Sequence, residues 1–568
     1  MPSILLPFEL KKKSNGDDSC SVLDLLSKQA KEAFQKSPHV TDYIQRLPIE
    51  HFGIPKYYAV LDKSLGSDKT PNFIYPAKGE VFVHIISDQA DGRNVYIPIE
   101  PTSLINVGPL MIEIEKRLLD MADELGSFSM KTVEEQGNAF RKCIDRIAGV
   151  NGSGAKSAGL FAKKVKPLAL SPRQVRAVKY LIIRDKLGLG ALDPLVNDKY
   201  VEDISCSGTG LVFLEHKIFS SLKTVINFPT NEDLDEFVMR LAERVRRPVS
   251  INSPITDATL PDGSRINIVY GTDVSKRGSN FTIRKFSEVP SSVTQLIDWG
   301  TLNYKMAAYL AIMIGEGMNC FVCGETASGK TTTLNAVTTF IHPNAKIVSI
   351  EDTPELQVPH QNWIREVVSQ TREGDTSGVT MFDLLKAALR QRPNEIIIGE
   401  IRGAEGAIAF QAMQTGHSVM ATFHAASVER LIQRLTGSPI NVPKAYMDNL
   451  NIVIIQSAVK LPSGKMARRM VSISEIVGYD PIAQSFSFIE IFQWDSSTDT
   501  FLFTGDGNSY LLEYKIAPKL GIPLHKKRRI YNELERKAKI LEKLNDQGVK
   551  NFYELLTVLA KAQRDGLF

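Results

Sequence analysis

The 568-residue sequence predicts an α/β protein whose C-terminal half is built on a parallel sheet, preceded by an α+β domain and a further, variable α+β N-terminal region. Three observations carry that reading. Short apolar runs, "NCFVC", "KIVSIED", "EIIIGEI" and "HSVMATFHA", alternate with helical patterns such as "MFDLLKAALRQR" and "AIAFQAMQTG". Strands that are apolar at consecutive positions are buried on both faces, and helices between them indicate parallel crossovers. The first run opens onto a glycine-rich loop and then a helix of about 11 residues. Two other runs end on acids, at the strand ends where open parallel sheets bind ligands.

Taken from the N-terminus, residues 1–150 are mixed. "MPSILLPFELKKK" has an apolar run before its lysines, the reverse of a secretory signal, so export is not expected. It reads as a loose end or a weak docking peptide for a membrane or partner. "EVFVHIISD" and "RNVYIPIEP" alternate as two strands around the turn-like "QADG". "MIEIEKRLLDMADEL" and "TVEEQGNAFRKCIDRIA" follow at helical spacing. Residues 151–164, rich in Gly and Ser at their start, read as a linker. A second domain spans 165–288, opening on the helix "SPRQVRAVKYLIIRDKLG" with a Ser-Pro entry signal. A hinge is expected over 289–295, and 296–568 holds the parallel sheet, two further strand-like runs and a helical C-terminal part.

Composition sets limits on the whole. Apolar content of 43% and charged content of 23% are ordinary for globular chains. A net charge of +4 gives no nucleic-acid footprint over the molecule. No run reaches the ~18 apolar residues of a membrane helix. The five cysteines, Cys20, Cys143, Cys206, Cys320 and Cys323, are odd in number and scattered, which suits a reducing cytoplasm. "CFVC" lacks a second CxxC or a histidine pair and reads as buried strand.

The chemistry concentrates in "GETASGKTT", Gly324, Glu325, Thr326, Ala327, Ser328, Gly329, Lys330, Thr331 and Thr332. The GxxxxGK[ST] spacing lets backbone N–H groups turn inward around phosphate oxygens, with the helix N-terminus adding its positive end. Lys330 supplies a point charge to the β- and γ-phosphates of ATP, and Thr331 an oxygen to Mg²⁺. "NGSGAKSAG" at 151–159 resembles this loop superficially, but Ala155 separates Gly154 from Lys156 and no strand precedes it. Glu351 and Glu400 end two strands beside the loop. Glu400 is expected to meet Mg²⁺ and Glu351 to orient and deprotonate the attacking water, an assignment that can be reversed. His417 and His424 flank one short strand, where an imidazole near a γ-phosphate can report its presence. Of the arginines, Arg265 and Arg284 precede the hinge, and "RLAERVRRP" adds Arg240, Arg244 and Arg247; any could reach a transition state across domains or subunits.

Together these segments resemble the secretion ATPase superfamily of type II secretion, type IV pili, type IV secretion and the archaellum. Its phosphate loop matches "GETASGKT", its acidic box "SIEDTPEL", its second acidic strand "LRQRPNEIIIGEIRGAE" and its histidine box "TGHSVMATFHA". The archaeal branch is the nearer match, and "GEVFVHIISDQADGRNVYIPIEP" looks most like the archaellum motor ATPase. That resemblance implies a RecA-like core, a homohexameric ring, and a polytopic membrane platform protein as partner, with other archaellum or pilus components. It implies a cytoplasmic place at the inner face of the membrane, with an anionic lipid surface as a further contact. It also makes Arg265 and Arg284 trans-acting arginines, and His417 with His424 a nucleotide-sensing box. Asn394 stands where many relatives carry Asp, and the paired-cysteine zinc insertion of many bacterial members is missing.

Three functions follow: an ATP-driven mechanical motor, a nucleic-acid translocase, or a nucleotide-gated scaffold. The basic clusters at 11–13, 163–166 and 525–529 are short and lack interleaved aromatics, which speaks against nucleic acid. The lysine and both acids speak against a scaffold that does not turn ATP over.

Overall fold

The computed structural model describes residues 2–11, 22–88, 92–121, 132–149, 167–286, 289–368 and 378–568. The linker 151–164, Cys20 and the "QADG" turn lie wholly or mostly outside them. The chain divides into two compact units, Met1–Phe286 and Ser287–Phe568. The stretch expected as a hinge overlaps a helix, Val293–Asp298, which Ser292 opens with a reciprocal cap to Gln295.

In the first unit, residues on both sides of the linker share one eleven-stranded sheet. The joining pair is Asn94–Ile99 beside Ser220–Phe228, parallel, at Val95↔Lys223 and Tyr96↔Thr224. Burial explains why the region before the linker does not stand apart. Tyr75 and Tyr96 donate at 2.6 and 2.9 Å to one carboxylate oxygen of Asp198, and all three side chains are buried. An apolar setting would leave that carboxylate costly without those donors. The N-terminal peptide is a short strand here: Ser3–Ile4 pairs antiparallel with Asn227 and Ile226, and Leu6, Phe8 and Leu10 pack partly buried against the core. The helices read from spacing form as Gly108–Asp120, Val133–Ala148, Pro172–Lys186 and Asn231–Arg244.

The second unit is built on nine strands. Six run parallel, in the order Trp363–Val367, Ile347–Glu351, Glu395–Ile401, Ser418–Phe423, Cys320–Gly324, Ile452–Lys460. Alternate residues enter two separate cores. Cys320 and Val322 join one, and Phe321 and Cys323 the other; Ile397 faces away from Ile396 and Ile398. This two-sided burial is the physical content of the unbroken apolar runs. Both cysteines of "CFVC" are fully buried strand residues. Beyond Ile452–Lys460 the sheet continues antiparallel through Met466–Asp480, Ser485–Asp495 and Thr500–Phe503, three strands where the sequence suggested two. Met466–Asp480 mixes arginines, serines and Glu475 into its buried stretch, and Ser485–Asp495 and Thr500–Phe503 are largely half-exposed or exposed, so none reads as an unbroken apolar run. The helical end follows as Ile530–Asp546 and Phe552–Arg564.

Candidate functional site

The parallel strands share one polarity, so the ends of Cys320–Gly324, Ile347–Glu351, Glu395–Ile401 and Ser418–Phe423 converge on one edge. The loop after Cys320–Gly324 turns sharply, with Ala327 at φ 62° and Gly329 at φ 94°. A side chain on Gly329 would meet Gln456 Nε2 at 2.9 Å in addition to the backbone strain, so the loop closes only on glycine there. Helix Lys330–Val337 starts directly after it and continues as the 3₁₀ turn Thr338–Phe340.

Lys330 is buried, and its Nζ donates to the carbonyls of Gly324 at 3.0 Å and Glu325 at 2.8 Å. Burial pushes its pKa down, partly opposed by the charge of Glu400. Ser328 Oγ is buried in the same loop with no hydrogen-bond partner. Such an atom marks a cradle that fits a ligand's oxygen.

Glu400 answers the lysine from two strands away. Its Oε2 accepts from Arg402 Nη2 at 2.6 Å. Its Oε1 lies 2.8 Å from His424 Nε2 but has no aligned hydrogen bond. Partial burial pulls this carboxyl upward, yet Arg402, His424 and Lys330 outweigh it and hold it below its ordinary value. His424 also lies 3.5 Å from Lys330 Nζ, through Nδ1. Burial and the lysine together lower its pKa, so the imidazole is neutral near pH 7.

Glu351 occupies the neighbouring strand, its Cγ 3.2 Å from where a Cβ on Gly399 would sit. Any side chain at 399 would displace the acid. Oε1 accepts from the backbone N–H groups of Glu355 and Leu356, both at 2.7 Å, and Oε2 faces Arg365 Nε at 3.4 Å. Burial raises this carboxyl despite those donors.

Lys330, Glu351, Glu400 and His424 therefore gather at one edge, with Thr331 and Thr332 half-buried in the first helical turn. His417 does not join them. It precedes Ser418–Phe423 while His424 follows it, which places the two histidines roughly 20 Å apart along the strand. A six-residue strand cannot bring both ends to one phosphate, so the expected histidine pair is divided within one chain. Arg265 and Arg284 belong to the first unit. They stand directly opposite each other on paired strands, exposed, near Asp257 at 3.5 Å and Asp203 at 3.9 Å.

Three participants escaped sequence reasoning. Arg365 holds Glu351; Gln456 accepts from Thr333 at 2.6 Å; Arg468 Nε donates to Ala327 O at 3.1 Å. Gln456 had a signal, a polar residue closing the apolar run "NIVIIQ". Arg365 and Arg468 had none, since each sits beside a second charged residue in a short stretch, "WIREV" and "MARRM", that reads as ordinary surface strand.

A family model described as "Type II/IV secretion system protein" matches residues 185–479, more than half of the chain. The chain belongs to that family. A relative of nearly equal length, an uncharacterised protein of Methanocaldococcus jannaschii, is 43% identical over 96% of this chain and 98% of its own. The type IV secretion system protein PtlH of Bordetella pertussis is 33% identical over 35% of this chain and 66% of its own. Among solved structures, the Legionella pneumophila ATPase DotB matches at 16% identity and a TM-score of 0.38, over 64% of this chain and 92% of that one. As a member of the type II/IV secretion family the chain is an ATPase, with an α/β fold carrying a parallel-sheet domain. Among the described residues no helix is long and apolar enough to cross a membrane.

Proposed function

We propose that the protein is a ring-forming, ATP-hydrolysing motor at the cytoplasmic face of the membrane, and that its work is archaellum assembly and rotation. The convergence of Lys330, Glu400 and His424 at the C-terminal edge of the parallel sheet carries the reading of an ATP site. The archaellum assignment rests on the resemblance of residues 79–101. Archaeal pilus assembly or secretion is the alternative, favoured by the relatedness to PtlH.

The loop 324–332 cradles the phosphates. Lys330 exchanges its two carbonyl partners for β- and γ-oxygens, an exchange favoured because a buried ammonium gains a charged acceptor. Thr331 and Glu400 would hold Mg²⁺; one hydroxyl, one carboxylate and substrate phosphates are the hard-oxygen set this ion takes. When bound, the ion neutralises charge on the β- and γ-phosphates. Glu351, its Oε1 fixed by two backbone donors, aims Oε2 as the proton acceptor for the attacking water. Neutral His424 bridges lysine and acid and senses whether the terminal phosphate stands between them. Arg265 and Arg284 act on the nucleotide of a neighbouring copy, with six copies closing a ring. A platform membrane protein and the other motor components would receive the work.

Two measurements test this. Purified Lys330→Ala is expected to lose ATPase turnover by more than about 100-fold while keeping its circular dichroism; turnover at the wild-type rate would refute the site. For the machine, a strain lacking the gene should lose swimming and surface archaella while keeping its pili. Loss of pili with motility intact would reverse the assignment.

A further inference from the structure

The opposite edge of the same sheet holds a second, smaller site. A cavity of about 250 Å³ opens there, walled by Ile314, Ile341 and Ala345 and edged by His342, Asn394 and Glu395. Glu395 begins the strand whose other end carries Glu400, so the two carboxylates are about 17 Å apart along the backbone. The cavity is thus separate from the nucleotide cleft.

Glu395 is only 3% exposed, and its Oε1 has no hydrogen-bond partner. Directly across on the neighbouring strand, in register, the Ser418 hydroxyl offsets part of the burial of this carboxyl. A buried carboxylate oxygen without an aligned donor is a costly arrangement unless one enters from elsewhere. Among the described residues, no lysine or arginine lines the cavity. Desolvation pushes the Glu395 carboxyl up to about 8, as befits an acid with no cation beside it. Helix Tyr304–Gly315 ends at the cavity; the carbonyls of Ile312, Met313 and Ile314 already accept from the backbone, so what the helix end adds is the negative end of its dipole. The buried carboxyl and the helix end together favour a positive charge that donates hydrogen bonds.

The walls narrow the choice. A metal ion needs several hard or imidazole donors, and among the described residues no group of three His, Cys, Asp or Glu could hold one. One carboxylate backed by aliphatic walls instead suits a cation with an apolar stem. We infer that this cavity binds an alkylammonium group, with its nitrogen on Glu395 and its carbon chain along Ile314, Ile341 and Ala345. The source of the group is a free small amine or a lysine side chain of another polypeptide.

The test uses the full-length protein at constant ionic strength, titrated by calorimetry with n-butylammonium, with 1,4-diaminobutane and with potassium chloride. Saturable one-site binding of the amines, absent with potassium, is expected. Glu395→Gln should weaken it at least tenfold, and Ala345→Leu, which fills the apolar wall and leaves the acid in place, should weaken it comparably. Nucleotide affinity measured in the same samples distinguishes loss of this site from loss of the fold. Equal binding by potassium would overturn the alkylammonium assignment. Unchanged amine binding in both variants would overturn the site, as would no amine binding by the folded wild type. Butylammonium that binds and blocks crosslinking of the protein to its own copies would identify a neighbour's lysine as the source; binding without that effect identifies a free amine.

Discussion

Glu400 and Glu395 stand near opposite ends of one strand, Glu395–Ile401, and their surroundings are opposite too. At the C-terminal edge, Arg402, His424 and Lys330 converge on Glu400 and hold it ionised below the usual range. At the N-terminal edge no cation offsets the burial of Glu395, and its carboxyl is pushed up to about 8. Same residue type, same strand, inverted proton affinity: the charges brought in by neighbouring elements decide what each acid can do. An acid held ionised among cations can face a metal and a phosphate, whereas an acid without a partner waits for charge from outside.

The largest effects should come from removing the charges at the C-terminal edge. Glu400→Gln and Glu351→Gln are each expected to lower kcat by about 100-fold or more, at nearly unchanged ATP affinity for Glu351→Gln, as for a proton acceptor used only in the reaction. If Glu351→Gln turns over normally, the base is Glu400 and the two roles exchange. Arg402→Ala should follow with a loss of roughly tenfold. It removes the hydrogen bond that does most to depress the Glu400 carboxyl, so that carboxyl rises and the acid limb of the turnover profile moves to higher pH. An unmoved limb would mean that His424 and Lys330 suffice.

The histidines offer a subtler division along the neighbouring strand. His424→Ala should cost about tenfold in turnover, and His417→Ala less than about twofold, because only His424 touches Glu400 and Lys330. A larger effect at His417 would show that its end of the strand meets the nucleotide of another copy. The last test reads stability rather than turnover and concerns Glu395. Its folded-state value is raised from 4.5 to about 8, so between those limits the folded chain keeps a proton the unfolded chain has lost. Wild-type stability should therefore fall as pH rises through this window, relative to Glu395→Gln, in urea melts compared at pH 5 and pH 8. Parallel curves would mean the carboxyl already has a cation.

Much of the site was legible before any coordinates. The phosphate loop is contiguous, so residues 324–332 declare themselves by spacing, and Glu351 and Glu400 were legible as acids where buried runs stop. Arg402 stood two residues from Glu400 in plain view, at the spacing that puts two side chains on one face of a strand, and its guanidinium meets the carboxylate. Arg365, Gln456 and Arg468 are far from the loop in sequence, and nothing local marks them.

By itself the sequence determined which strands are buried on both faces, where the glycine-rich loop turns and which acids end beside it. Those properties depend on residue type and short-range spacing, which fix hydrophobic periodicity and backbone freedom. Tertiary structure decided the rest: that residues before the linker complete the sheet of those after it, that His417 and His424 are parted by the length of a strand, and that Glu395 is buried away from any cation while Glu400 is held among cations. Each of these turns on strand order and on groups many residues distant, and the energy of a buried charge is set by what surrounds it in space.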